Sequence, residues 1–166
     1  FTSLPYERRF FSGGSNGIRA WRSRTLGPGS YHPKENAGFD QFGDGQLEGN
    51  AEYRFKLFKF LHGAVFVDAG NNWLKREDIT RPGGDFKFDR FYKELAVGTG
   101  IGLRGDFNFF ILRVDIGIKV RDPQFDEKDR WVIEHWFDKN WKQDYRTANS
   151  GRGYFTVFNI GIGYPF

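Results

Sequence analysis

Between Phe109 and Arg121 the chain reads FFILRVDIGIKVR, with Phe110, Leu112, Val114, Ile116, Ile118 and Val120 on one side of a two-residue repeat. Ile111, Arg113, Asp115, Gly117, Lys119 and Arg121 fall on the other side. A period of two is that of a β-strand. Four further segments share it. In Asn50 to Phe58, Tyr53, Phe55 and Leu57 oppose Glu52, Arg54 and Lys56. Gly63 to Asn71 is mostly apolar with one acid, Asp68. In Lys93 to Arg104, Leu95, Val97, Ile101 and Leu103 oppose Ala96, Gly98, Gly100, Gly102 and Arg104. In Tyr154 to Phe166, Phe158, Ile160, Ile162, Tyr164 and Phe166 oppose Asn159, Gly161 and Gly163.

A half-buried strand of a soluble sandwich alternates too. Here the polar face is glycine or mixed charge, which suits a wet or plugged lumen. A Lys or Arg facing lipid at mid-membrane costs roughly 2–4 kcal/mol, and the register of the last three strands keeps such residues off the apolar face. The connections also alternate: a few residues around Lys59 to His62, a long loop Asn72 to Phe91, a tight turn Gly105 to Asn108, and a very long loop Asp122 to Gly153. Short turns at one end and long loops at the other are the outer-membrane barrel rule. The predicted fold is all-β: an antiparallel meander of about five strands, the C-terminal portion of a transmembrane β-barrel. Known barrels have at least about eight strands, so these five are not expected to close a barrel alone. Ile133, Trp136, Phe137 and Trp141 predict one short helix in the last long loop, with Asp126 as its cap and Glu127 and Asp129 in its first turn.

Composition narrows the chemistry. The 166 residues include no Cys, which removes disulfides and thiolate metal sites. There is no Met even at position 1, so the chain is expected to be cut from something longer. Aromatic content is 19% and net charge +4, spread too evenly to nominate a nucleic-acid surface. No apolar run reaches the ~20 residues of a membrane helix, a test that β-strands escape.

Candidate chemistry is sparse. Gly100-Ile101-Gly102-Leu103-Arg104-Gly105 spells G-x-G-x-x-G, but a nucleotide site needs a helix next and a strand follows. His32, His62 and His135 are scattered, and Asp40 and Asp44 lack calcium-loop spacing. No serine sits in a nucleophile elbow. No catalytic constellation, cofactor or metal site is implied, and the chain is not read as an enzyme. One stretch stays unexplained: RFFSGGSNGIRAW places Arg19 and Trp21 just after a glycine-rich break. Arg19 is either a solvated loop charge or a charge carried into a polar interior.

That stretch resembles the inward-folding sixth extracellular loop of the BamA/TamA superfamily of outer-membrane assembly and translocation barrels. The tip is Ile18-Arg19-Ala20-Trp21, with Ala20 where the family usually has Gly. Phe66-Val67-Asp68-Ala69-Gly70 is similar to the family's F-x-D-x-G strand, contributing Phe66, Asp68 and Gly70. Gly49 to Tyr53 resembles the preceding strand and offers Glu52 inward. Asn159, Gly161, Tyr164 and Phe166 match the C-terminal signal of outer-membrane barrels. The tip and its flanks look nearer the TamA-like branch.

The resemblance implies a division into residues 1–43, the inward loop and the start of the next strand, and 44–166, the last five strands. It implies that Arg19 pairs with Asp68, with Glu52 close by, and that Trp21 packs beside them, against the glycines at 98 to 102. Alanine at position 20 restricts the tip backbone and is expected to change its conformation. The implied function is protein insertion or translocation in the bacterial outer membrane, with a lateral gate at the last strand. The implied partners are the lipid bilayer, unfolded outer-membrane or secreted clients, and a periplasmic or inner-membrane protein reached through domains upstream. Two rival readings remain: a passive porin-like channel whose selectivity is set by Arg54, Lys56, Arg113 and Lys119, and a barrel anchor for a membrane-bound hydrolase.

Overall fold

The computed structural model describes residues 5–32, 41–148 and 155–163. Five strands form one sheet: β1 (Gly45–Lys56), β2 (Leu61–Trp73), β3 (Ala96–Asp106), β4 (Ile111–Arg121) and β5 (Thr156–Ile162). Each pairs antiparallel with the next, in chain order. Among the described residues the fold is an all-β meander with one α-helix, consistent with part of a barrel.

Strand boundaries shift from the sequence expectation for local reasons. β1 starts at Gly45, ahead of Asn50, because the alternation Gln46, Glu48, Asn50 continues through the weakly apolar Leu47, Gly49 and Ala51. β3 starts at Ala96, because Phe91–Glu94 is a 3-10 turn. The connections are residues 57–60 and 107–110 at one end and 74–95 and 122–155 at the other. In the second tight turn Asn108 takes φ 69°, and its N–H donates to the Asp106 carboxylate at 3.0 Å. Phe58, Phe60, Phe107 and Phe109 are exposed at this end, like the aromatic girdle of a membrane barrel.

The last long loop corrects the helix expectation. Val132–His135 is a 3-10 turn, and α1 (Lys139–Ala148) begins only after it. The cap is Asp138, which accepts from the N–H groups of Asn140 at 2.9 Å and Trp141 at 3.0 Å. Asp126 instead closes a turn, its carbonyl accepting from Asp129 N–H. Phe137, expected on a packed helical face, is 92% exposed.

The two faces of the sheet differ sharply. Val65, Val67, Ile101, Leu103, Leu112, Phe158, Ile160 and Ile162 are exposed on one face. The other face buries Asp68, Arg104, Arg113, Asp115 and Lys119. A soluble sheet has the reverse arrangement, and an apolar face this continuous needs a partner. The main apolar core lies between the sheet and the loop across its polar face, where Ile18, Ala20, Trp21 and Leu26 cluster with Ala96.

Candidate functional site

The segment before β1 folds back over the charged face. Gly13 and Gly14 adopt φ of 97° and 93°, angles that side chains resist. They turn the chain so that Gly14 N–H reaches the Trp21 carbonyl at 2.8 Å. Trp21 N–H closes a second turn on the Ile18 carbonyl at 3.1 Å. The result is a tight tip, Ile18 to Trp21, with all four residues buried.

Arg19 is 0% exposed, and its polar groups meet acids from two strands. Nε donates to Asp68 Oδ2 and Nη2 to Asp68 Oδ1, both at 2.8 Å. This is the bidentate fork that makes guanidinium the best partner for a carboxylate. Nη1 donates to Glu52 Oε2 at 2.5 Å, and the Arg19 backbone N–H donates to Asp68 Oδ2 at 3.0 Å. The guanidinium also lies 3.5 Å from the centroid of the Phe66 ring. Asn50 ties tip to wall, donating to Asp68 Oδ1 and to the Gly17 carbonyl, each at 3.0 Å.

The network runs on across the sheet. Glu52 also accepts from Arg104 Nη2 at 2.8 Å and Arg54 Nε at 2.6 Å. Arg104 Nη1 reaches Asp115 Oδ1 at 2.6 Å. Arg113 donates to the Asn16 side chain, back on the tip loop. Three carboxylates thus compensate the buried guanidiniums, as charges inside a protein require.

The strand motif and the glycines make room for the tip. The Phe66 ring occupies the space that Gly100 leaves open. A Cβ at Gly98 would come 2.5 Å from the Ala20 methyl and 3.4 Å from the Trp21 ring. Gly70 lets β2 approach β1, where a Cβ would fall 2.9 Å from the Glu48 Cα. A Cβ at Gly161 would strike the Arg113 guanidinium. Ala20 itself has no positive φ, a feature that only Arg24 and Asn108 show among the described non-glycine residues. Alanine therefore fits this tip without strain, its methyl received by Gly98.

Asn159 of β5 donates to the Arg19 carbonyl at 2.8 Å. The sequence singled out Asn159 only as part of a terminal signal. Its inward parity opposite Phe158 and Ile160 was the available sign of contact. Tyr164 and Phe166 lie outside the described residues, as do Asp40 and Pro165. Arg104, Asp115, Asn16 and Asn50 were not foreseen as partners. Arg104 and Asp115 sit on the predicted polar face, but their meeting depends on the cross-strand pairing of Gly102 with Asp115.

At the long-loop end a second cluster braces the base of the tip loop. The Glu94 carboxylate accepts from Trp73 Nε1 at 2.7 Å and Ser30 Oγ at 3.3 Å, and Arg90 Nε lies 3.0 Å away. Burial raises the Glu94 carboxyl above its ordinary range despite these donors. Among the described residues, no group of three or more His, Asp or Glu side chains converges as a metal site.

One sheet face is suited to lipid, and a loop is pinned across the other through a buried Arg–Asp–Glu network. The Omp85 superfamily domain matches the chain over residues 1–166. The chain belongs to the Omp85 superfamily. Membership places it among outer-membrane barrel proteins, bacterial or organellar, that insert or translocate other proteins. The bare apolar face of this sheet is suited to lipid, and the face under the tip loop is polar and covered.

Proposed function

We propose that this Omp85 chain is the C-terminal part of a bacterial outer-membrane insertase or translocation barrel, with β5 as one lip of a lateral gate. Residues 1–43 carry the lumen loop, and 44–166 carry the last five strands. The resemblance of the tip Ile18-Arg19-Ala20-Trp21 and its flanks favours the TamA-like branch. Clients are unfolded outer-membrane or secreted proteins, which would add a strand to the free edge of β5. Domains upstream would bind a periplasmic or inner-membrane partner.

The observation that carries this reading is the pair of contacts made by Arg19. Its side chain grips β2 and β1 through Asp68 and Glu52, and its carbonyl holds Asn159 of β5. The tip thus spans the sheet from its first strand to its last and stiffens it. The porin-like reading is less favoured, because two of the four cations it relies on are tied to acids: Arg54 to Glu52 at 2.6 Å and Lys119 to Asp122 at 3.3 Å.

The test uses the full-length protein in its native membrane. Arg19→Ala should lower client assembly while the barrel itself still folds, as read from its heat-dependent mobility on a gel. Unchanged client assembly, with the tip shown to be released, would refute the proposal.

A further inference from the structure

We propose that a pocket at the long-loop end of the sheet, formed by Lys93, Arg121 and Arg130, binds a phosphate-bearing anion. The pocket has a volume of about 200 Å³ and is lined by these three cations, Glu127 and Trp131. Three lining cations face one lining carboxylate, a surplus of two positive charges at the pocket wall, with the buried Glu94 acting on Arg130 from outside the lining.

The geometry sets the two guanidiniums in place before any ligand arrives. Arg121 and Arg130 both donate to the Lys93 carbonyl, Arg130 at 2.9 Å. Arg130 Nε is held by the Phe125 carbonyl at 2.9 Å, and Arg121 Nη1 by the Leu95 carbonyl at 2.5 Å. Backbone carbonyls orient these forks but neutralise neither. Two like charges converging on a single oxygen repel each other, and an anion between them removes that repulsion. The local acid is a weak competitor: Glu127 is 69% exposed at its side chain and lies 3.6 Å from Lys93 Nζ. Such exposed pairs are weak.

Planar guanidinium forks beside an ammonium suit the several oxygens of a phosphate. Trp131 is half exposed, and its ring centroid is 5.9 Å from the Arg121 guanidinium carbon. It supplies an apolar wall for whatever carries the phosphate. Two sources share this chemistry: the headgroup of a phosphorylated glycolipid in the outer leaflet, and a soluble phosphate. The lipid source rests on the topology proposed above; the anion site does not.

The test is made on the full-length protein in neutral detergent at constant ionic strength. Inorganic phosphate is titrated and followed by 31P line broadening. A diphosphorylated glycolipid and its dephosphorylated form are compared by native mass spectrometry. The variants are Lys93→Glu and Glu127→Gln, both at exposed side chains that leave the arginine–carbonyl bonds intact. Lys93→Glu should weaken phosphate binding by about tenfold, and Glu127→Gln should tighten it by about threefold. Phosphate-dependent lipid retention that Lys93→Glu abolishes supports the site with a headgroup as its ligand. Phosphate binding without lipid discrimination supports it with a soluble anion. Absence of phosphate binding, or binding that neither variant changes, overturns the proposal. Client assembly by Arg19 variants is a separate readout, so the two ideas fail separately.

Discussion

Gly117 of β4 lies against the backbone of Arg19: a Cβ built there would come 2.7 Å from the Arg19 carbonyl carbon and 2.8 Å from the Ala20 nitrogen. Both atoms are main chain, so no side-chain rotation relieves the clash. Gly117→Val is therefore predicted to lift the tip off the sheet. Overpacking of this kind costs typically about 1–3 kcal/mol. Amide exchange across residues 14–22 should quicken, including the Arg19 N–H that now donates to Asp68. Unchanged protection of that amide would show that the tip does not rest on Gly117.

Asn159 is predicted to couple the last strand to the tip. Asn159→Leu removes its hydrogen bond to the Arg19 carbonyl and leaves that acceptor to find another donor. The loss should be about 1 kcal/mol, seen as faster exchange in residues 156–162 with little change in β2. Equal exchange in wild type and variant would mean that β5 is held by its ladder with β4 alone.

The sheet was legible in the sequence because one of its faces is apolar and the other polar. Leu112, Val114 and Ile116 alternate with Arg113, Asp115 and Gly117 so regularly that the strand and its two faces followed directly. The pairing of Arg19 with Asp68 was not legible from spacing, since 49 residues separate them; only the resemblance of their motifs pointed there. Arg104 and Asp115 escaped notice because neighbourhood across a sheet is set by register, which periodicity alone does not give. The helix was misplaced because Ile133, Trp136 and Trp141 mimic one face, while the true start is fixed by the short carboxylate of Asp138. That the methyl of Ala20 is received by Gly98 depends on a contact across the fold that the tip sequence alone does not reveal.

The loop between β2 and β3 is predicted to be most protected in mildly acidic solution. Burial alone would raise the Asp85 carboxyl, but Arg90, whose Nη2 donates to it at 2.5 Å, and nearby Lys87 bring it below its ordinary value. A lowered carboxyl stabilises above its unfolded value, about 3.9, and loses that contribution as pH falls through the lowered one. Glu94, raised by burial, works in the opposite sense: the folded loop gains as pH falls through its raised value toward the unfolded one, about 4.3. Protection factors of the Leu74 and Phe86 amides, bonded to the Gly84 and Leu74 carbonyls, should rise on mild acidification and then fall below about pH 4. A steady decline from pH 7 downward would contradict the assignment of Glu94.

The central claim is that the tip is locked in the lumen by the bond between Arg19 and Asp68, backed by Glu52. It is tested most directly by a double-mutant cycle on the full-length protein, with Arg19→Met, Asp68→Leu and the pair, each unfolded reversibly by urea from lipid bilayers. Each single variant strands a buried charge and should lose about 3–5 kcal/mol. The double variant should lose less than the sum, giving a coupling of at least about 2 kcal/mol. Additive losses would mean that the two residues do not hold each other, and would contradict the account.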